Sequence, residues 1–481
     1  MEYRSTRGNE QKVSAAKAVT TGLAPDGGLY VPCEFPKMQA DLSGLTYEQT
    51  AVEVLKLFLT DYAPEFLADA AQKAYGSFGG GAGKTVQTDG CGTFLELWHG
   101  PTCAFKDYAL QLMPHLLVEG KKMLHDERLT HILVATSGDT GKAALAGYAG
   151  LDGIRISVFY PQDGTSRIQE LQMVTQTGEN VGVYAVKGNF DDAQSGVKRA
   201  FGNKALAEEL AKNGAYLSSA NSINWGRLAP QIVYYFYCYE QLVGQGAVTR
   251  GQAVDFCVPT GNFGDILAGW YAKQMGLPVG RLICASNEND VLTEFLSTGV
   301  YNARRPFYKT ESPSMDILVS SNLERLLYHV TGDAAQVKAW MEQLAKEGRY
   351  EVGSEVLAEI QKTFACASVD AAGAAKEIAR VYHEANYLMD PHTAVACAAA
   401  RERTGENLCV VLSTASPYKF PVSVLNALEQ AVPQDEFSAL EQLEKYSGLP
   451  APEALKSLKN APVRFDRTIE KEDILTVARG E

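Results

Sequence analysis

From about Leu95 onward the chain alternates short runs of consecutive apolar residues with longer stretches whose apolar positions recur every three or four residues. Runs of the first kind predict strands and stretches of the second predict helices. HILVAT from His131, IRISVFY ending at Pro161 and GVYAVKG from Gly182 are strands; TGKAALAGYAG, SRIQELQMVTQTG and DDAQSGVKRAFGNKALAEELAKNG are helical, the last as one long stretch. The rhythm resumes with the strand VDFCVP, the helix DILAGWYAKQMG and the strand RLICAS. It closes with the helix KEIARVYHEANYLM and a final strand, LCVVLST, reaching Thr414. Alternation at these lengths predicts βαβ units, hence an α/β fold with mostly parallel sheets. KDYALQLMPHLLVEG is also helical in period, with Pro114 kinking it or ending it early.

The first 90 residues read as a first module. Gly22–Gly28 is a turn cluster before the short strand LYVP, and Thr46 with Gln49 three residues on has the spacing of a capping box at a helix start. Gly83-Lys84-Thr85 superficially resembles the end of a phosphate-binding P-loop, but the expected first glycine is Phe78 and no apolar strand precedes it. A surface turn is the better reading. A domain crossing is expected near Asn221–Gly226, before the aromatic helix of residues 229–243. This divides the chain into 1–90, a smaller α/β domain over 91–225, and a larger one over 226–481. The larger domain carries a more helical insertion around 302–380 and a tail, from about Gln430, of surface helices and a short strand. Residues 354–371 alternate charged and small side chains and assign to neither class.

Composition narrows the function classes. The 481 residues are 46% hydrophobic and 21% charged, enough for two or three cores. The formal net charge of −13 argues against nucleic acid or an anionic membrane as partner, without excluding a locally positive pocket. The most apolar run, IVYYFYCYEQLV from Ile232, is too short for a membrane span and contains Glu240, so it is a buried helix. Nine cysteines without paired spacing, and a polar opening stretch, predict reduced thiols in a cytoplasmic protein.

Three stretches carry candidate chemistry. Lys106 follows the turn-like His99-Gly100-Pro101-Thr102 and stands between Phe105 and Asp107. It is either an amine nucleophile whose charge burial disfavours, or a surface lysine paired with Asp107. Thr136–Gly141 and Pro259–Asp265 are polar turns between a strand and a helix, the arrangement that offers main-chain N–H groups to an anion. Either is alternatively a plain βα turn, with Asp139 as an N-cap. Thr414 closes a strand where open α/β sheets place ligands. His99, His131 and His392 lack metal-ligand spacing, and His383 with His392 is a loose pairing at best. An amine and two anion cradles outline a pyridoxal-phosphate site.

The ordered motifs YRSTRG, GLAPDGGLYVP, HGPTCAFKDYALQ, TSGDTG, GNFDDAQ, SSANSINWGR, VPTGNFGD, SPSMDI with SNLERLL, and LSTASPYKFP resemble the threonine synthase family, in its longer class of bacteria and fungi, along essentially the whole chain. The resemblance implies a fold-type II pyridoxal-phosphate enzyme, tryptophan synthase β-like, with an N-terminal extension and the cofactor on the larger domain. It implies conversion of O-phospho-L-homoserine and water to L-threonine and phosphate, by a monomer or homodimer. Carried over by position, Lys106 is the catalytic Schiff-base lysine. Asn189, Gly261, Asn262, Phe263, Gly264, Asp265 and Thr414 join it around the cofactor, and Ser137, Gly138, Asp139 and Thr140 receive the substrate carboxylate. Lys84, Thr85, Ser157 and Arg167 are unranked candidates for the substrate phosphate. Cys103 stands where a leucine is more usual, a change expected to be tolerated. The alternative activities are a serine/threonine dehydratase or a phosphohomoserine lyase, which share Lys106 and release an oxo acid.

Overall fold

The computed structural model describes residues 1–480 except Ser137 and Thr404. Its N-terminal segment forms an antiparallel ribbon of β1 (Tyr3–Ser5) and β2 (Tyr30–Pro32), followed by helices Tyr47–Phe58 and Pro64–Tyr75. The capping box at Thr46 is present in full: Thr46 Oγ1 accepts from the Gln49 N–H, and Gln49 Oε1 accepts from the Thr46 N–H at 2.9 Å. This segment has no core of its own. Its buried side chains, from Tyr3 to Phe78, belong to one apolar cluster with the aromatic helix Trp225–Gly244. Tyr3 packs on Trp225 with ring centroids 5.3 Å apart, and Tyr47, Tyr75 and Tyr108 form a mutual ring cluster at 5.0–6.0 Å. The first 90 residues are therefore a layer of the larger body, not a free-standing module.

β3 (Lys84–Thr88) and β4 (Gly92–Glu96) pair as an antiparallel hairpin. Next come β5 (Leu129–Ala135), β6 (Ile154–Pro161), β7 (Val181–Val186) and β8 (Ala215–Ser218), then β9 (Val254–Pro259) and β10 (Val279–Ser286). The insertion contributes a two-stranded ribbon of β11 (Val300–Asn302) and β12 (Arg349–Glu351), and the chain finishes with β13 (Phe364–Ser368), β14 (Leu408–Ser413) and β15 (Thr468–Ile469). The larger sheet has the order β13-β10-β9-β14-β4-β3, parallel except for β3. The smaller sheet, β15-β7-β6-β5-β8, is parallel throughout.

Two boundaries differ from the sequence reading. The hairpin of residues 84–96 completes the larger sheet, so the smaller domain begins after it. The short strand expected in the tail is β15, and it returns to the smaller sheet, so 226–481 is not one unit. Local breaks differ too. The helix around Pro114 is two helices, Asp107–Leu110 and Met113–Met123, because proline opens a first turn more readily than it sits inside a helix. The long stretch after Phe190 divides at Asn203, whose side chain caps the second helix through the Leu206 N–H at 3.1 Å. The unassigned 354–371 segment is helix Ser354–Gln361 followed by edge strand β13. As parallel sheets of both sizes dictate, the segments that meet lie beyond the carboxyl ends of β5, β9 and β14.

Candidate active site

Lys106 is placed by a short path out of β4. Leu97 N–H donates to the Ser413 carbonyl, Thr102 binds the Asp107 carboxylate through its N–H (2.9 Å) and hydroxyl (2.7 Å), and Phe105 N–H donates to the Thr414 carbonyl (2.8 Å). Cys103 takes a left-handed conformation at φ 57° on this path. The residue that resembles a leucine substitution thus sits at a tight, buried bend, where burial pushes its thiol up to about 12. The Lys106 amine donates to Ser314 Oγ at 2.9 Å and lies 3.9 Å from Asp139 Oδ2. Burial lowers it to about 8; Asp139 opposes that shift, while Lys419 and Arg227 reinforce it. A fraction of the amine is therefore uncharged near neutral pH, which a nucleophilic lysine requires. Asp107 is raised to about 6 by burial, against the two Thr102 hydrogen bonds.

The turn after β5 is charged. Gly138, at φ 151°, is the N-cap of helix Asp139–Tyr148, and a Cβ there would meet the Gln169 amide at 2.7 Å. Thr136 Oγ1 accepts from the N–H groups of Gly138 and Gly141, each at 3.0 Å. Asp139 is thus the first helical residue and not the N-cap. Its Oδ1 pairs with Lys419 Nζ at 2.5 Å and accepts from Gln169 Nε2 at 3.2 Å. Lys419, wholly buried, also donates to the Thr102 carbonyl at 2.9 Å. Burial works to raise the Asp139 carboxyl, but Lys419 and Lys106 together hold it well below the usual range. An anionic side chain so placed repels a substrate carboxylate, so within this turn only the main chain of Asp139 suits that role. Thr140 follows in the first turn, and Ser137 lies outside the described residues.

The turn after β9 is neutral. Phe263 adopts φ 62° and opens helix Gly264–Gln274, its side chain buried against Phe364 at 5.5 Å. A Cβ on Gly261 would stand 2.7 Å from the Ser314 carbonyl oxygen, so only glycine lets these two segments approach. Ser320 Oγ donates to the Gly261 carbonyl (2.8 Å), Asn322 donates to the Asn262 carbonyl through N–H (3.1 Å) and Nδ2 (3.0 Å), and Ser321 Oγ donates to Asn262 Oδ1 (3.2 Å). Asp265 turns inward, accepting from Tyr234 (2.5 Å) and Tyr235 (3.1 Å), with Oδ2 unpartnered among the described residues. Burial raises it to about 7 despite those bonds. The side chains of Phe263 and Asp265 therefore face the core, which leaves their main chain, with Gly261, Asn262 and Gly264, as the part suited to a phosphate.

Thr414 is buried at the end of β14, and among the described residues nothing hydrogen-bonds its hydroxyl. Lys106, Asp139, Gly261 and Thr414 are thus brought together through Ser314 and the Phe105–Thr414 bond. Asn189 is not shown joining them: it is an exposed N-cap whose Oδ1 accepts from Asp192 N–H at 3.1 Å. Three of the four phosphate candidates bond elsewhere, and the fourth is exposed. Lys84 is exposed on β3, Thr85 faces Cys238, Ser157 binds His131, and Arg167 pairs with Glu170. His392 pairs with Asp390 at 2.5 Å rather than with His383. Sequence reasoning missed Ser314, Lys419, Arg227 and Lys142, although the first three lie inside quoted motifs. Lys142, one turn beyond Asp139, is lowered to about 8 by burial and donates to Gln176 at 2.7 Å.

A mostly enclosed amine of lowered basicity, a helix start whose acid turns into the core, and a strand-end hydroxyl with no partner among the described residues fit pyridoxal phosphate. Family models agree along the chain. "Threonine synthase N terminus" matches residues 2–75, "Pyridoxal-phosphate dependent enzyme" 90–414, and "Threonine synthase, C-terminal" 393–474. The threonine synthase of Eremothecium gossypii is 38% identical, covering 99% of this chain and 98% of the relative. That of Pseudomonas aeruginosa is 41% identical over 89% of this chain and 90% of its own length. Among solved structures, the pyridoxal-phosphate-bound threonine synthase of Brucella melitensis superposes with a TM-score of 0.90 at 37% identity, covering 100% of this chain and 99% of that one.

Proposed function

We infer the reaction from one premise: the chain belongs to the threonine synthase family of fold-type II pyridoxal-phosphate enzymes. It converts O-phospho-L-homoserine and water to L-threonine and phosphate, by elimination at Cγ and addition of water at Cβ. The observation that carries this most directly is the Lys106 amine, buried, lowered to about 8 and set between the two helix-opening turns.

When bound, pyridoxal phosphate supplies the electron sink for charge that develops at the substrate carbons. In the proposed arrangement Gly261–Asp265 offers main-chain N–H groups to the cofactor phosphate. The Thr414 hydroxyl would hold the ring nitrogen as a neutral partner. Lys106 would hold the cofactor at rest, and its amine, when free, would take a proton from the substrate Cα at Nζ and return it later. The N–H groups at the start of helix Asp139–Tyr148, with the Thr140 hydroxyl, receive the substrate carboxylate. Asp139 itself stays bound to Lys419 and keeps its charge off the substrate. The aromatic seam of the N-terminal layer closes one side of the body against water, which limits escape of reactive species to an oxo acid.

The test is to incubate the holoenzyme with O-phospho-L-homoserine in ¹⁸O-labelled water and measure phosphate, threonine and 2-oxobutanoate. Threonine labelled in its β-hydroxyl, in near-equal yield with phosphate, is expected. Phosphate with mainly 2-oxobutanoate would replace the synthase with a lyase, and deamination of plain threonine without phosphate release would make it a dehydratase.

A further inference from the structure

We propose that Ser314 is a catalytic residue of this site, cradling the freed Lys106 amine in both of its proton states, with His392 and Asp390 as its positioning residues. The proposal rests on the reading of Lys106 as the cofactor-linking amine.

Ser314 lies in the short 3-10 turn Pro313–Met315, in the insertion rather than on either parallel sheet. Its hydroxyl is the hydrogen-bond partner of Lys106 Nζ, at 2.9 Å. Its main-chain N–H donates to His392 Nε2 at 3.2 Å. A ring nitrogen that accepts must be unprotonated, so the His392 proton sits on Nδ1 and is donated to Asp390 Oδ2, 2.5 Å away. Asp390 is fully buried and is fixed in turn by the main-chain N–H groups of His392 (3.0 Å) and Thr393 (3.1 Å). From the other side, Asp316 ties the loop through the Thr310 N–H at 2.9 Å and Asn287 Nδ2 at 2.8 Å. The Ser314 carbonyl abuts Gly261. One small residue thus touches the lysine, the neutral turn and a buried histidine–aspartate pair.

The charges facing Lys106 explain why a hydroxyl is useful there. Asp139 from helix Asp139–Tyr148 is beyond hydrogen-bonding distance and committed to Lys419. Lys419 from the turn after Thr414, and Arg227 from the aromatic helix, oppose a positive charge on the amine; Asp107, next in sequence, favours it. His392 stands behind Ser314 in its neutral form. A carboxylate in direct contact would lock Lys106 as an ammonium. A hydroxyl accepts from the ammonium and, after rotating, donates to the lone pair of the neutral amine. Lys106 can therefore gain and lose a proton while keeping its place, and Ser314 itself transfers none.

The experiment compares parent, Ser314→Ala and Ser314→Thr proteins. The first readout is competitive acetylation of Lys106 across pH in the full-length chain stripped of cofactor, followed by peptide mass spectrometry. The parent midpoint is expected near 8. Ser314→Ala loses the bond to each proton state, but the bond to the charged ammonium is the stronger, so the midpoint should fall by about one pH unit, and Ser314→Thr should stay with the parent. The second readout is steady-state kinetics of the holoenzyme: Ser314→Ala should lose about 10- to 100-fold in kcat with little change in KM, and threonine should restore it. If the alanine variant does not fold, Ser314→Cys, of similar size but a poor hydrogen-bonding partner, is read the same way. An unshifted midpoint together with parent kcat overturns the proposal. Borohydride fixation of the cofactor to a lysine other than Lys106 defeats the underlying reading as well; fixation at Lys106 with an unshifted Ser314→Ala midpoint and parent kcat defeats this proposal alone.

Discussion

The turns after β5 and β9 have the same grammar in the chain, an apolar strand, a glycine-containing polar turn and an aspartate in the first helical turn, yet they end as opposites. Asp139 points into the site and is held ionised between Lys419 and Lys106. Asp265 points into the core, is held by two tyrosines and is raised to about 7. One helix start is an ion-pair hub; the other presents main chain and neutral side chains. The orientation of a single carboxylate sets what each helix start leaves for an outside anion: the charge of Asp139 is balanced by Lys419, whereas Asp265 is withdrawn into the core.

The sharpest way to break this comparison is to remove the cation that holds the charged turn. Lys419→Met leaves Asp139 buried with only Lys106 at 3.9 Å to oppose its charge. A loss of about 3 kcal/mol in unfolding free energy is expected by urea titration, since an orphaned buried charge costs more than the pair contributes. Adding Asp139→Asn should recover most of it. A Lys419→Met protein as stable as its parent would mean that the charge of Asp139 is neutralised in another way.

The neutral turn breaks through geometry rather than charge. Gly261→Val forces a side chain against the Ser314 carbonyl, which a Cβ alone would approach to 2.7 Å. The cofactor dissociation constant, measured by absorbance after dilution, should rise about 10- to 100-fold in the variant, the equivalent of about 1.4–2.8 kcal/mol. Secondary structure should be retained, because the strand and helix on either side are packed independently of the turn. Unchanged retention would remove the Gly261 turn from the cofactor site.

The smallest effect concerns the two aspartates' opposite dependence on pH. Asp265 is raised above its unfolded value, so its contribution to stability is full below about pH 4 and is lost as pH rises towards 7. Asp139 is depressed, so its contribution is present above about pH 4 and is lost as pH falls further. Asp265→Asn should therefore gain on the parent as pH rises from 4 to 7, and hold that gain above 7. Asp139→Asn should show its deficit at neutral pH and lose it in acid. Parallel unfolding curves for parent and Asp265→Asn across that range would show that Asp265 is not protonated preferentially in the fold.

How much of this could be read from the residues follows from what each feature depends on. Strand and helix periods are local, and the alternation from HILVAT to LCVVLST appears where it was expected. Thr46 and Gln49 cap their helix because all the required atoms lie within four residues. Partner choice is not local: nothing in residues 84–96 states that β4 pairs with β14, and the hairpin was assigned across the wrong boundary. The same limit hid the contrast between the turns. Asp265 is turned inward by Tyr234 and Tyr235, on a helix well before it in the chain, and Asp139 is turned outward by Lys419, far after it. Lysine 419 carries no mark of burial in SPYKFP, and Ser314 gains its importance only when the insertion folds back over Lys106.

The return of β15 to β7 has a consequence for how the chain is made. During synthesis, β5 to β8 and their helices emerge long before residues 468–469, so the smaller sheet waits with β7 as a bare edge. The last segment supplies more than two strand residues: helix Ile474–Arg479 packs on helix Phe190–Gly202, Lys471 pairs with Asp192 at 2.9 Å, and the Ala478 carbonyl meets His131 Nδ1 at 3.1 Å. An unpaired edge invites wrong partners, including another copy of the same nascent chain. Residues 468–479 thus act as a clasp that is fastened long after the sheet it closes has been made.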